Sequence, residues 1–252
     1  MRGVASRAPA PYIPAMRNRK STVDEIRERF DRDVERFSNL ETGQSATMDA
    51  PLALEIIQQC AAANHPHASA MLDIGCGAGN FTLKILQALP GLNCTLIDLS
   101  QPMLDRAAER VTHATSGRVE CFQADIREFK PKSESFDLVV AAAVLHHLRS
   151  EAQWQNVLQT IHAALRPGGT FWVWDMIIHE TPAVQQVMWE RFGRYLSALK
   201  GDEYRDHVFA YIEKEDSPAS LSAQMRLAEK AGFRRVEVLH KTAVFAAWMA
   251  AK

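Results

Sequence analysis

The sequence predicts an α/β fold, a mostly parallel sheet covered by helices on both faces. Three observations carry this. Short apolar runs alternate with segments of helical period from about residue 70 to residue 178. The first apolar run ends in glycines at alternate positions, Gly75, Gly77 and Gly79, and a helix-like stretch from Phe81 to Leu86 follows. Two late apolar segments, Phe233 to Leu239 and Thr242 to Met249, lie close enough in sequence to pair as an antiparallel edge. The 252 residues, 47% of them hydrophobic, suffice for one sizeable domain with additions.

The elements follow in order. Residues 1–20 read as a disordered lead-in. The first 23 residues hold no acid and carry Arg2, Arg7, Arg17, Arg19 and Lys20, a composition like that of a transit peptide. Pro9, Pro11 and Pro14 forbid the amphipathic helix such a peptide uses, and Met16 is a second candidate start. Ser21 is placed to cap a helix from Val23, with Asp24 and Glu25 in its first turn and Val23, Ile26, Phe30, Val34 and Phe37 at helical spacing. Asp49-Ala50-Pro51 opens a second helix to about Ala63, so residues 21–66 form an N-terminal helical addition to a main domain at 67–252. Strands are expected at 70–74, 93–98, 118–123, 136–142 and 169–178, and helices at 79–89, 101–111 and 150–165. A helix over 182–200 and an aromatic-rich segment to Asp216 interrupt the alternation as an insertion at about 180–217. A helix from Ser220 to Ala231, ended by Gly232, leads into the final strand pair.

The glycine turn limits what can bind. A dinucleotide fingerprint spaces its glycines G-x-G-x-x-G, but here the spacing is G-x-G-x-G and Asn80 stands where the last glycine should be. Asp73, two residues before the first glycine, is unwelcome beside a pyrophosphate and welcome beside an ammonium group. No G-K-[ST] follows, so the turn is not a Walker A loop. A second run, Cys94 to Ile97, ends at Asp98, 19 residues after Gly79, where an acid can accept both hydroxyls of a ribose. A third ends at Asp125-Ile126, an acid and an apolar residue suited to the amino group and ring face of an adenine. A fourth leads into Val144-Leu145-His146-His147-Leu148. S-adenosylmethionine offers the matching chemistry: adenine, ribose, a cationic sulfonium and an amino-acid tail, without phosphate.

The segments LDIGCGAG, LIDLS, ADI, FDLVVAAAVLHHL and LRPGGTF stand in the order and spacing of the class I S-adenosylmethionine-dependent methyltransferases, which the chain resembles over roughly residues 48 to 178. The resemblance implies a Rossmann-like fold with a seven-stranded, mostly parallel sheet, an antiparallel edge strand and a helical lid over the acceptor. It implies that Asp73, Gly75, Gly77 and Gly79 line the methionine and ribose part of the cofactor, that Asp98 with the adjoining Leu99 and Met103 holds the ribose side, that Asp125 and Ile126 hold the adenine, and that Ala141 or Ala142 meets the sulfonium end. S-adenosyl-L-methionine is the expected cofactor and S-adenosyl-L-homocysteine its product. A weaker likeness, in Phe30 to Phe37, Asp216-Ser217 and Lys230-Ala231-Gly232-Phe233, is to the carboxy-S-adenosylmethionine synthases of wobble-uridine modification. Those enzymes use an arginine for the new carboxylate, and Arg205 lies in the corresponding region.

Methyl transfer from a sulfonium requires positioning, desolvation and sometimes deprotonation of the acceptor. His146 is the candidate general base or acceptor-positioning group, and His147 is read as holding the turn. Asp175 and His179 are candidates to face the acceptor. Their spacing alone does not make a metal site, and no metal is expected. A net charge of −1 gives no global basic field for nucleic acid, a local patch being the remaining route. No apolar run approaches the length of a membrane span. Cys60, Cys76, Cys94 and Cys121 form no C-x-x-C pair and read as reduced thiols of a cytoplasmic protein. The expected partner is a small-molecule acceptor, methylated on O or N by a monomer or homodimer. A tRNA-modification enzyme of the carboxylating kind and a non-catalytic cofactor-binding regulator are the alternatives. The second would show a broken cofactor site, whereas every binding position here is intact.

Overall fold

The computed structural model describes residues 19–39 and 45–252. Most of the expected lead-in, residues 1–18, lies outside the described residues. Two short helices come first, α1 (Val23–Arg32) and α2 (Val34–Ser38), followed by α3 (Ala50–Asn64). Thr22, not Ser21, caps α1: its hydroxyl accepts from the Glu25 amide at 3.2 Å, and the Glu25 carboxylate accepts from the Thr22 amide at 2.7 Å. Ser21 is buried, and its amide donates to Lys214, which commits it to a tertiary contact. The expected single N-terminal helix is broken at Asp33, which ends α1 and begins α2.

The alternating core follows: β1 (Ala70–Ile74), α4 (Asn80–Leu86), β2 (Asn93–Asp98), α5 (Gln101–Ala114), β3 (Val119–Gln123), β4 (Phe136–Ala142), a 3₁₀ turn (Leu145–His147), α6 (Glu151–Ala164) and β5 (Leu165–Met176). Two helices, α7 (Pro182–Lys200) and α8 (Asp202–Glu215), precede α9 (Leu221–Ala231), β6 (Arg235–Thr242) and β7 (Phe245–Ala251). The strands form one sheet in the order β3-β2-β1-β4-β5-β7-β6. Neighbours from β3 to β5 are parallel, whereas β7 runs antiparallel to both β5 and β6. The antiparallel hairpin β6–β7 thus closes one edge of an otherwise parallel sheet.

Alternation along the strands splits the core into two layers. Leu72, Ile74, Val139, Ala141, Phe171 and Val173 meet α6 and α9 on one face. Met71, Leu138, Val140, Trp172 and Trp174 meet α3, α4, α5 and α7 on the other. The aromatics of the α7–α8 insertion largely join this second layer. Trp189 stacks on Phe209 with centroids 4.3 Å apart, and Phe192 meets Phe245 edge-on at 5.3 Å. The strand order places β3 and β2 to one side of β1, and β4 to the other. A crevice opens beyond the carboxyl ends of β1 and β4, the switch point at which open α/β sheets bind ligands.

A candidate cofactor cavity at the switch point

The turn between β1 and α4 sets the floor of this crevice. Gly75, Gly77 and Gly79 all have positive φ, at 64°, 51° and 83°, but they serve different ends. A Cβ on Gly75 would meet Val144 Cγ2 at 2.5 Å, so this glycine lets the turn press against the end of β4. A Cβ on Gly77 would meet no atom within 4 Å and would project into open space, the condition for a ligand to approach the backbone closely. Gly79 faces away from the crevice, and a Cβ there would press on Val111 and Ala107 of α5 at 3.2–3.3 Å.

One cleft of about 1150 Å³, open mouth included, gathers most of the expected residues. Asp73, Gly75 and Gly77 line it with Asp98, Leu99, Met103, Asp125, Ile126 and Ala142. Gly79 and Ala141 do not. Gly79 serves helix packing, and Ala141 is fully buried in the α6–α9 layer, because strand alternation gives the cavity to Ala142. The roof comes from the N-terminal helices through Phe30 and Phe37, whose rings lie 5.6 Å apart, and from Thr47. Asn80 ties the roof down, its amide donating to the Phe37 carbonyl at 2.7 Å. No residue of α7 or α8 lines this cavity.

The acids differ in what they hold. Asp98 accepts from the Gly77 amide at 2.8 Å and from the Ser100 amide at 2.9 Å, while burial pushes its carboxyl above the usual range. Asp73 lies beneath the turn, 1% exposed, and accepts from the Thr82 hydroxyl at 2.5 Å. Burial raises its carboxyl to about 7, against the pull of that hydrogen bond. Asp125 is clamped by the Arg127 guanidinium, whose Nε donates to both carboxylate oxygens at 2.9 Å. Sequence reasoning missed this local clamp, though an arginine two residues after an acid is its visible signal.

Beyond Ala142 the backbone turns through Ala143 at φ 56°, a left-handed conformation in a non-glycine residue at the cavity wall. The two histidines then part ways. His146 is buried and does not line the cavity. Its Nδ1 donates to Asp175 at 2.5 Å and its Nε2 lies 3.6 Å from Asp216. Burial alone would lower its pKa, but Asp175 and Asp216 outweigh burial and hold it up at about 9. Both ring nitrogens of His146 therefore face carboxylates and not the cavity, so the residue expected as general base has no direct access to an acceptor held there. His147 is the histidine that lines the cavity, and burial, then the charges of His146 and Arg29, drive its pKa well below the ordinary value. Asp175 lies beneath His146 and holds the turn through the Leu145 amide at 2.6 Å. His179 turns away to Gln185. Arg205 pairs with Asp202 and Asp206 and is not at the cavity. The three-residue grouping of His146, His147 and Asp216, with candidate ligand atoms within 4.8 Å of one another, was not expected. Asp216 lies too far along the chain for spacing to reveal it.

Residues 72–171 match the methyltransferase domain family. The chain is 28% identical over 183 residues to a carboxy-S-adenosyl-L-methionine synthase of Helicobacter pylori, covering 71% of this chain and 74% of that one. It is 30% identical over 179 residues to the 27-O-demethylrifamycin SV methyltransferase of Amycolatopsis mediterranei, covering 69% and 64%. Human N-acetylserotonin methyltransferase, crystallised with S-adenosylmethionine, superposes with a TM-score of 0.61 at 16% identity, over 95% of this chain and 64% of that chain. The chain therefore spans just under two thirds of the length of the last two proteins. Among the described residues no helix is long and apolar enough to cross a membrane.

Proposed function

We propose that this chain, which matches the methyltransferase domain family over residues 72–171, is a class I S-adenosylmethionine-dependent methyltransferase that moves a methyl group to an O or N atom of a small, partly apolar acceptor. The observation that carries the reading is one cavity wall that runs from the open Gly77 backbone past Asp98 and Ile126 to Ala142–Val144. Each part fits a different piece of an adenosyl cofactor. Gly77 leaves room for close approach, Asp98 offers carboxylate oxygens to a ribose, and Ile126 offers an apolar face to an adenine. Asp73 supplies negative charge toward the amino-acid tail, and no phosphate-binding loop is present. The cofactor supplies an electrophilic methyl on a sulfonium, whose departure leaves a neutral thioether.

The protein's own task is then to place and desolvate the acceptor. Phe30 and Phe37 close the cavity with apolar surface, which supports an acceptor with an apolar part. His147, rather than His146, presents an imidazole to the cavity and is the group we place against the acceptor. Domain boundaries at 21–66 and 67–252 go with this reading, with the N-terminal helices acting as the cover.

Calorimetric titration with S-adenosylmethionine, S-adenosylhomocysteine and NAD tests the reading, alongside mass spectrometry of copurified ligands. Micromolar binding of the first two with NAD silent is the expected result. Silence with both adenosyl compounds overturns it. The likeness to carboxy-S-adenosyl-L-methionine synthase supports a second reading, in which the cofactor itself is the product. A copurified carboxylated analogue would decide for that alternative, although Arg205 stands away from the cavity and the cavity's cation, Arg127, is held by Asp125.

A further inference from the structure

We propose that His146, His147 and Asp216 form a binding site for a divalent first-row transition cation. The candidate ligand atoms of the three residues lie within 4.8 Å of one another. Asp216 Oδ1 stands 3.6 Å from His146 Nε2 and 3.5 Å from His147 Nδ1. Bonds of about 2.0–2.2 Å to a tetrahedral ion place neighbouring ligand atoms roughly 3.4 Å apart, so both separations from Asp216 fit such bonds, and the two histidine nitrogens, within 4.8 Å of each other, would close around the ion.

The hydrogen-bond pattern points the same way. Asp216 is 4% exposed, and its Oδ1 has no hydrogen-bond partner. His147 has at most a marginal bond, to the Glu215 backbone. Unpaired polar atoms this deep are costly unless something meets them. His146, by contrast, is held on its far side: Asp175 accepts from Nδ1 at 2.5 Å, which turns Nε2 toward Asp216. A carboxylate behind a metal-binding histidine is the usual means of fixing its tautomer and raising its basicity. Asp175 is fixed in turn by the Leu145 amide at 2.6 Å. The Asp216 segment is anchored by the Ser217 amide, which donates to the His146 carbonyl at 2.7 Å.

Two imidazoles and one carboxylate suit zinc, iron(II) and their neighbours better than magnesium or calcium, and three protein ligands leave a coordination position open. The site stands whether or not the cavity holds an adenosyl cofactor. His147 belongs to both the site and the cavity wall, so on the methyl-transfer reading the cation would border the acceptor.

The test uses the untagged full chain, stripped with chelator and titrated with Co²⁺ in the absence of any adenosyl compound. The expected result is one Co²⁺ per chain, with a visible absorption spectrum of a four- or five-coordinate centre and displacement by Zn²⁺. His147→Gln and Asp216→Asn should each weaken binding at least tenfold. Asp175→Asn, which removes the support and no ligand, should weaken it about 10- to 100-fold while keeping the one-to-one stoichiometry. Circular dichroism reports whether each variant folds. Should one of them fail to fold, the parent spectrum and the remaining variants still decide. Absence of stoichiometric Co²⁺ binding by the parent, or parental affinity in folded His147→Gln and Asp216→Asn, overturns the proposal. Because cofactor affinity is measured separately, its loss would sink the methyl-transfer reading without touching this one.

Discussion

Gly77 donates its backbone N–H to Asp98 Oδ2 at 2.8 Å, so the open glycine of the first turn and the acid ending the second strand are one unit. The other oxygen of Asp98 accepts from Ser100, which opens α5. The carboxylate therefore shapes its own surroundings before any ligand arrives. A ribose held there would meet an acceptor whose position the backbone already fixes, which lowers the ordering cost of binding.

Removing that acid should cost affinity first. Asp98→Ala is expected to weaken S-adenosylhomocysteine binding by roughly 2–3 kcal/mol, the value of charged hydrogen bonds lost to a ribose. Asp98→Asn keeps an acceptor oxygen and should fall between the variant and the parent. Calorimetry on the three proteins checks the order, and equal affinities would remove Asp98 from the binding site.

The two glycines flanking Ala78 should separate binding from stability. Both have positive φ, so alanine at either costs about 1–2 kcal/mol of backbone strain. Gly77→Ala meets no neighbour in the fold and should lose cofactor affinity well beyond that modest loss of stability. Gly79→Ala adds contacts at 3.2–3.3 Å against Val111 and Ala107, an overpacking worth about 1–3 kcal/mol more. Its melting temperature should fall further, while any cofactor bound by the folded fraction keeps near-parental affinity. Identical behaviour of the two variants would contradict the division of roles.

The contrast shows what was legible in the sequence. The positions of β1, β2, β4 and β5 follow from alternation and the glycine turn, because parallel strands buried on both faces read as largely apolar runs. The Asp98 and Asp125-Ile126 positions follow because strand ends in this topology converge on one crevice. Spacing could not say which face a residue takes where two adjacent ones compete. Ala142 and not Ala141 reaches the cavity, and His147 and not His146 does, since strand phase and a single 3₁₀ turn decide. Nor could it reveal that Asp175 and Asp216 flank His146, a relationship made by tertiary folding alone. The break at Asp33 escaped because the apolar period continues through it from Phe30 to Phe37.

The roof over the cavity should be separable from the fold. Asn80 holds the Phe37 carbonyl at 2.7 Å and is itself held by Arg110 at 2.8 Å. Asn80→Ala removes this link, worth about 0.5–1.5 kcal/mol, and should raise the cofactor dissociation constant about 2- to 13-fold. Amide exchange across α1 and α2 should quicken while β1 and β4 stay protected, as expected when a peripheral unit opens locally. Uniform quickening across the sheet would mean that the helices are integral to the core rather than a cover.

Asp73 should make both stability and cofactor binding depend on pH near neutrality. Burial holds its carboxyl at about 7, above the usual 3.8. The folded state therefore keeps a proton that the unfolded chain has already released. The stabilisation from this group is complete below the unfolded value and declines as pH rises, until it is lost above about 7. The full effect amounts to a few kcal/mol at most, since each pKa unit corresponds to about 1.4 kcal/mol. Asp73→Asn should flatten that decline and raise the melting temperature of the ligand-free protein at pH 8 relative to the parent. Binding should move the other way. A cationic tail above the carboxylate favours its ionised form, so cofactor affinity should rise about tenfold between pH 6 and pH 8, the range over which such a group goes from mostly protonated to mostly ionised. Calorimetry at the two pH values on parent and Asp73→Asn measures this directly. Parallel profiles would show that Asp73 supports the turn through Thr82 and contributes no charge to the ligand.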